Sequence, residues 1–472
     1  MSARPATLLV LALACLRSVT AQAQGARPDG AELALDEVTA AAERAYPLLK
    51  AAEQERAIAA ADLLAAEGGF DATWKTRATV TPVGYYDSVR IDSAFERPTS
   101  LWGITPFVGY KLGSGRFAVY DGRLETLEYG EARVGVNAPI WRNGPIDRRR
   151  ATLARAEIGT EVARLSVAEQ RIQVRRAAAQ RYWAWVAAGR KVDVAERLLR
   201  NVERRDEAVA ARVERGDLPA IERTDNARAV EQRRAQLSQA ERGLEQAAIE
   251  LSLFFRDADG RATPPPRARL PRSLPEPGPT SARAGADDLS VAMATRPEAR
   301  RIALQLRQNS IEMRWGRNQL APGLDLQLVG SQDFGPDNPR RPDLSKPIFE
   351  ISLLLDVPIQ TRAIRGKLDA ATALASRLQY QATFAKDRVE ADVRDAQSAI
   401  LRAAERVEAA RREVRLAEEL EEAERTRYAQ GDSQLLIVNL REQQTAEAEL
   451  RAIDARLDHQ RAIADLRAAR GD

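Results

Sequence analysis

From Val389 onward, small and apolar residues fall at Val393, Ala396, Ile400, Ala403, Val407, Ala410, Val414 and Ala417, alternately four and three apart. That spacing is a heptad seam, with Arg and Glu filling the other faces. The run around it, from about Arg365 to Gln430, contains no proline, and its one glycine, Gly366, stands at its start. The pattern predicts a helix on the order of 100 Å long, which no ordinary globular domain needs. A second long helical stretch, reaching about Arg215, repeats Leu165, Ile172, Ala179 and Val186 at intervals of seven. Gly216-Asp217 breaks that stretch and Gly431-Asp432 breaks the other, and each break is followed by more helix.

Elsewhere the period changes to two. Ala72, Trp74, Ala78 and Val80 alternate with Thr73, Lys75, Arg77, Thr79 and Thr81. Ala132, Val134, Val136, Ala138 and Ile140 alternate with Arg133, Gly135 and Asn137. In the second half Leu324, Leu326 and Leu328 share a face, as do Phe349, Ile351, Leu353, Leu355, Val357 and Ile359 opposite Glu350, Ser352 and Asp356. These are strands with one apolar and one polar side, grouped as hairpins over about 72–141 and 323–359. Between the first pair, residues from about Pro82 to Tyr129 form short alternating pieces rich in Gly, Tyr, Phe, Asp and Pro.

The chain is therefore a tandem repeat of helix, hairpin, long helix, glycine break and helix. Pro47 matches Pro297 and is expected to divide the opening helix, for which Asp36 is a candidate N-cap. Pro139 matches Pro358. The interval from helix proline to strand proline is 92 residues in the first half and 61 in the second, so the first hairpin is longer by about 31. The predicted divisions are a signal segment 1–23, a first repeat 24–261, a proline-rich linker 262–285 and a second repeat 286–472. The linker carries Pro264, Pro265, Pro266, Pro271, Pro275, Pro277 and Pro279 and cannot hold a helix.

Composition narrows the class. Aromatics at 5% and charged residues at 30% suit long solvated helices. The 72 basic and 68 acidic residues are interleaved, which argues against the one-signed stripe of a nucleic-acid binder. Arg4, the apolar Ala6 to Leu16 and Ala21-Gln22-Ala23 read as an export signal. Cys15, the only cysteine, lies within it, with lipidation there as an alternative to cleavage after Ala23. No other stretch approaches 18 apolar residues, so no transmembrane helix is expected. With His459 the only histidine, neither a zinc site nor a nucleophile–His–acid set is expected, and no G-x-x-x-x-G-K-[ST] loop is present. The protein is expected to be no enzyme and to need no cofactor.

Strands of about ten residues with alternating faces are what an outer-membrane barrel presents, apolar to lipid and polar to the lumen. Four strands are too few to close one, so closure requires several copies. Trp74, Tyr85, Tyr86, Trp102 and Trp141, near strand ends, suit an interfacial girdle.

The repeated layout resembles the outer-membrane efflux protein family, the TolC-like channel-tunnels, over essentially the whole mature chain. The carrying segments are Leu35-Asp36-Glu37 through Tyr46-Pro47, and Val136-Asn137-Ala138-Pro139-Ile140-Trp141 with Arg148-Arg149-Arg150. Their counterparts are Thr295-Arg296-Pro297-Glu298 and Leu355-Asp356-Val357-Pro358-Ile359. The most specific is Tyr428-Ala429-Gln430-Gly431-Asp432-Ser433-Gln434-Leu435-Leu436, with Gln443 and Glu447 beyond.

The resemblance implies a fold mainly α with β: long antiparallel helices forming a periplasmic α-barrel, plus four strands per chain in a trimeric, twelve-stranded outer-membrane barrel. It implies an exit duct for efflux or type I secretion. The implied partners are two further copies, outer-membrane lipid, a periplasmic adaptor and an inner-membrane pump of RND or ABC type. The glycine breaks at Gly216 and Gly431, with Tyr428, become the periplasmic tip. The family's usual pore carboxylates, six and nine residues past the second glycine, are replaced by Ile437 and Leu440. The same offsets in the first half hold Glu222 and Asp225, the candidate acidic ring, with Asp432 and Glu442 nearby. Ser433 stands where a basic latch residue is common. The alternative reading is a periplasmic coiled-coil adaptor or a structural protein of an envelope transport complex. An adaptor is expected to carry one helical hairpin rather than two matched halves.

Overall fold

The computed structural model describes residues 31–117, 124–257, 259–278, 284–336 and 342–472. The expected signal segment and Cys15 lie outside the described residues. Eight α-helices and six strands are described. Helix α1 (Leu35–Ala45) gives way at Tyr46 to α2 (Pro47–Glu67), with Pro47 in the first turn where its missing N–H costs nothing. Asp36 is not the N-cap; Ala34 is, and Asp36 lies in the first turn, where its charge still complements the helix dipole. The second half repeats the device with α5 (Ala284–Thr295) and α6 (Pro297–Asn318).

The long helices are α3 (Arg148–Glu214, 67 residues) and α7 (Arg362–Gln430, 69 residues), each about 100 Å long. Their shorter companions α4 (Ala220–Ser252) and α8 (Leu435–Arg470) return antiparallel, α4 against α3 and α8 against both α7 and α3. Each companion meets the proline break of its own half. Phe254, just past α4, stacks on Tyr46 with centroids 5.0 Å apart, and Thr295 Oγ1 donates to the Arg470 carbonyl at the end of α8. Both heptad seams are used: Leu165, Ile172, Ala179 and Val186 are buried in α3, as are Val389, Val393, Ala396, Ala403, Val407 and Ala410 in α7. The largest apolar cluster surrounds Trp185, which is 1% exposed, and Tyr182, whose hydroxyl donates to the Leu33 carbonyl at 2.7 Å. Burial raises the Tyr182 pKa to about 12. The proline-rich segment packs on this cluster through Leu270 and Leu274, and a 3-10 turn at Arg267–Arg269 interrupts the helix-free course expected of it. Arg269 clamps it to Glu37 with two hydrogen bonds of 3.0 and 2.7 Å.

The strands form one antiparallel sheet in the order β1 (Thr73–Thr81), β2 (Ser88–Glu96), β3 (Thr105–Gly115), β4 (Glu131–Pro139), β5 (Gly323–Asp333), β6 (Ile348–Asp356). The expectation of four strands is thereby corrected to six. The 31 extra residues of the first half hold a complete further hairpin, β2–β3, in which β2 pairs along its length with β1 and β3 pairs with β4 from Thr105 to Lys111. Glycines at 109, 113 and 115 and Pro106 dilute the alternation of β3, which is why the sequence pattern showed only fragments there.

The register aligns residue types across all six strands. Trp74, Phe95, Val108, Val134, Gly330 and Phe349 lie in one row. A second row on that face runs Ala78, Ile91 and Leu112. On the opposite face Lys75 bonds Glu96 at 2.6 Å, Arg133 bonds Asp92 at 2.5 Å, and Lys111 reaches Glu131 at 3.6 Å. One face is thus apolar and bare, the other carries ion pairs. Trp74, Trp102 and Trp141 stand at the helix end of the sheet and Tyr85 and Tyr86 at its far end, all exposed.

His459 of α8 is 4% exposed, and its Nδ1 has no hydrogen-bond partner among the described residues. Burial lowers its pKa, so the folded chain binds this proton less readily than the unfolded one, whose histidine titrates near about 6.5. The stability held by neutral His459 is present above that value and is lost as pH falls below it. His459→Gln is therefore expected to show a smaller fall in thermal midpoint between neutral and acidic buffer than the parent protein. Parallel curves for the two would refute the assignment.

Candidate functional site

The end of the molecule remote from the sheet is built from two copies of one turn. Gly216 and Gly431 both adopt left-handed backbone, with φ of 81° and 87°. In each, the following aspartate N–H closes back on a carbonyl of the last helical turn: Asp217 to Arg212 and Asp432 to Arg427, both at 2.9 Å. Glycine is required because any Cβ is strained at that φ. Around both glycines there is open space within 4 Å, so the constraint is conformational and not one of crowding. Arg212, in the last turn of α3, lies 6.0 Å from the centroid of the Tyr428 ring and links the two turns.

Glu222 and Asp225 are both on the first turns of α4, three residues apart and so on one face. Each is half-buried, and Asp225 meets the exposed Arg228 at 3.3 Å. Asn226, next after Asp225, is fully buried and donates to Asp206 of α3 at 2.7 Å, which ties the start of α4 to its neighbour. Asp432 is exposed at the second turn, its carbonyl accepting from Arg427 at 3.3 Å. Ser433, in the place of a basic residue, donates its hydroxyl to the buried Glu424. Here the turn is held by a hydroxyl–carboxylate bond.

Glu442 departs from its expected place near the pore carboxylates. It is 5% exposed and enclosed by arginines. Arg205 of α3 donates to its two oxygens, both at 2.9 Å, and to Asn439 at 2.7 Å. Arg425 of α7 adds a third bond at 3.0 Å. One carboxylate thus joins α3, α7 and α8 about two turns above the tip. Arg233 of α4, 8% exposed, completes the surround; burial lowers its pKa, and the neighbouring Arg205 adds to that against the pull of Glu442. The heptad pattern could not reveal this junction, since Arg205 and Glu442 are partners across 237 residues and each looks like one more solvated helix charge.

No family model matches the chain and no curated protein does. Solved structures do match it. A membrane protein from Pseudomonas aeruginosa aligns with a TM-score of 0.66 at 17% identity, covering 92% of each chain. The MtrE outer membrane channel of Neisseria gonorrhoeae, in its open state, aligns at 0.65 and 20% identity over 93% of this chain and 88% of that one. The outer membrane protein VceC of Vibrio cholerae aligns at 0.64 and 14% identity over 93% and 96%. Helical wall, sheet and duplicated order together give this chain the fold of the TolC-like outer-membrane channels.

Proposed function

We propose that this protein is an outer-membrane exit duct of a tripartite efflux or type I secretion system. Three copies form the duct, and substrate passes from periplasm or pump to the exterior without chemistry on the duct itself. The observation that carries this reading is the division of one sheet into a bare apolar face and an ion-paired face, joined to helices of about 100 Å. In lipid the apolar face replaces the hydrophobic core that the sheet lacks in a single chain. The helices then cross the periplasm, and the glycine turns at 216 and 431 meet an adaptor and an inner-membrane pump of RND or ABC type. Glu222 and Asp225 line the tip as a ring of carboxylates that favours cations.

Purified mature protein is expected to run as a trimer in detergent and to conduct in a planar bilayer. A monomer without conductance would end the duct reading. In a conducting preparation, Glu222→Ala with Asp225→Ala is expected to cut cation-over-anion permeability several-fold; unchanged selectivity would discard the ring while leaving the duct.

A further inference from the structure

We propose that the outer-membrane wall of this protein is an eighteen-stranded barrel, closed by β1 of one copy pairing with β6 of the next. The inference rests on the trimeric duct proposed above, and adds to it the width of the exit.

Six strands per chain carry the count. The hairpin β2–β3 behaves as wall, not as a loop laid on the wall. Phe95 and Val108 take their places in the apolar row between Trp74 and Val134, while Asp92 on the other face pairs with Arg133 two strands away. The turn between β2 and β3 returns to the helix end of the sheet, where Gly103 approaches the Asn143 carbonyl and the Asp147 carboxylate. Strands β2 and β3 therefore cover the same height as their neighbours.

Within one chain β1 and β6 pair on one side only. A bare edge is not tolerated in hydrocarbon. The two edges match: both are nine residues long, and β1 runs away from the helices while β6 runs back towards them, so a β1–β6 junction between copies is antiparallel. An even number of strands per chain lets that alternation continue around the ring.

Geometry favours the larger ring. Strands about 4.8 Å apart and tilted about 40° give a barrel of roughly 18 Å backbone radius for eighteen and roughly 12 Å for twelve. Each chain brings four helices to the wall beneath: α3, α4, α7 and α8 in the half nearer the tip, and α2, α3, α6 and α7 in the half nearer the sheet. Twelve helices about 10 Å apart form a ring of roughly 19 Å radius. Eighteen strands continue that wall without a taper. The barrel is then not the narrow point of the duct. At its outer end the segment from Leu124 packs against Gly113, with Thr126 bonded to Gly113 and the Leu127 N–H bonded to Asp333 at 3.0 Å.

The test uses full-length protein in reconstituted trimers, with one introduced cysteine for labelling and two for cross-linking. Phe95→Cys and Val108→Cys carrying a small fluorophore are expected to be quenched by brominated lipid, and Ala94→Cys to react with a membrane-impermeant maleimide. Ala78→Cys combined in turn with Ile351→Cys and Leu353→Cys is expected to give oxidised species of dimer and trimer size. The mass of the unmodified complex is read separately. A trimer in which positions 95 and 108 are unquenched overturns the eighteen-stranded wall and leaves the duct reading intact. A monomeric mass overturns both.

Discussion

Ile351→Arg is expected to prevent stable insertion in the outer membrane, while Ser352→Arg, one residue further along β6, is expected to be tolerated. The two side chains leave opposite faces of the same strand. Ile351 is 62% exposed on the apolar face beside Leu328, whereas Ser352 faces the ion-paired side beside Gln327 and bonds Glu350 at 3.0 Å. An arginine at mid-strand on a lipid-facing side costs about 2–4 kcal/mol, and a lumen-facing one far less. The penalty recurs in every copy of a symmetric oligomer, so the effect on assembly multiplies. Heat-resistant oligomer in the outer-membrane fraction is the readout. Equal assembly by both variants would mean that the apolar face does not meet lipid.

The second large effect is expected at the arginine junction above the tip. Glu442→Ala leaves Arg205 and Arg425 without their shared carboxylate, with Arg205 enclosed at 14% side-chain exposure. Removing one partner of a buried pair costs about 3–5 kcal/mol, because the remaining charge is stranded away from water. The thermal midpoint is expected to fall by several degrees or more. Arg205→Met together with Glu442→Leu, which removes charge from both sides, is expected to recover most of that loss. If the double variant melts as low as the single one, the burial of unpaired charge is not the cause. Since the carboxylate holds α3, α7 and α8 together beside the glycine turns, Glu442→Ala is also expected to raise conductance relative to the double variant.

Much of the architecture was legible in residue spacing. Heptads at Leu165, Ile172, Ala179 and Val186 can be satisfied only by a long helix with a seam, and Pro47 and Pro297 can stand only at helix starts, so these features follow from local sterics and periodicity. The alternation in β4 and β6 likewise identified its own faces. The β2–β3 hairpin was not legible, because glycines at 109, 113 and 115 and Pro106 interrupt the period that would announce it. Those glycines are allowed by what they touch: Gly113 lies under the Leu124 backbone, and Gly109 under the Ser93 carbonyl. Such contacts exist only once the strands have paired.

The candidate site divides in the same way. The left-handed turns at Gly216 and Gly431 were determined by the sequence alone, since no other residue takes that φ without strain. The placing of Glu222 and Asp225 on one helix face also follows from their spacing of three. What only the tertiary structure decided is which charges are free. Glu442 and Asp432 are both carboxylates ten residues apart in one short stretch, yet Asp432 is exposed at the turn while Glu442 is sealed among arginines from three helices. Local pattern determines conformation because it acts through neighbours in the chain. The state of a charge depends on solvent and partners, and those arrive from helices hundreds of residues away.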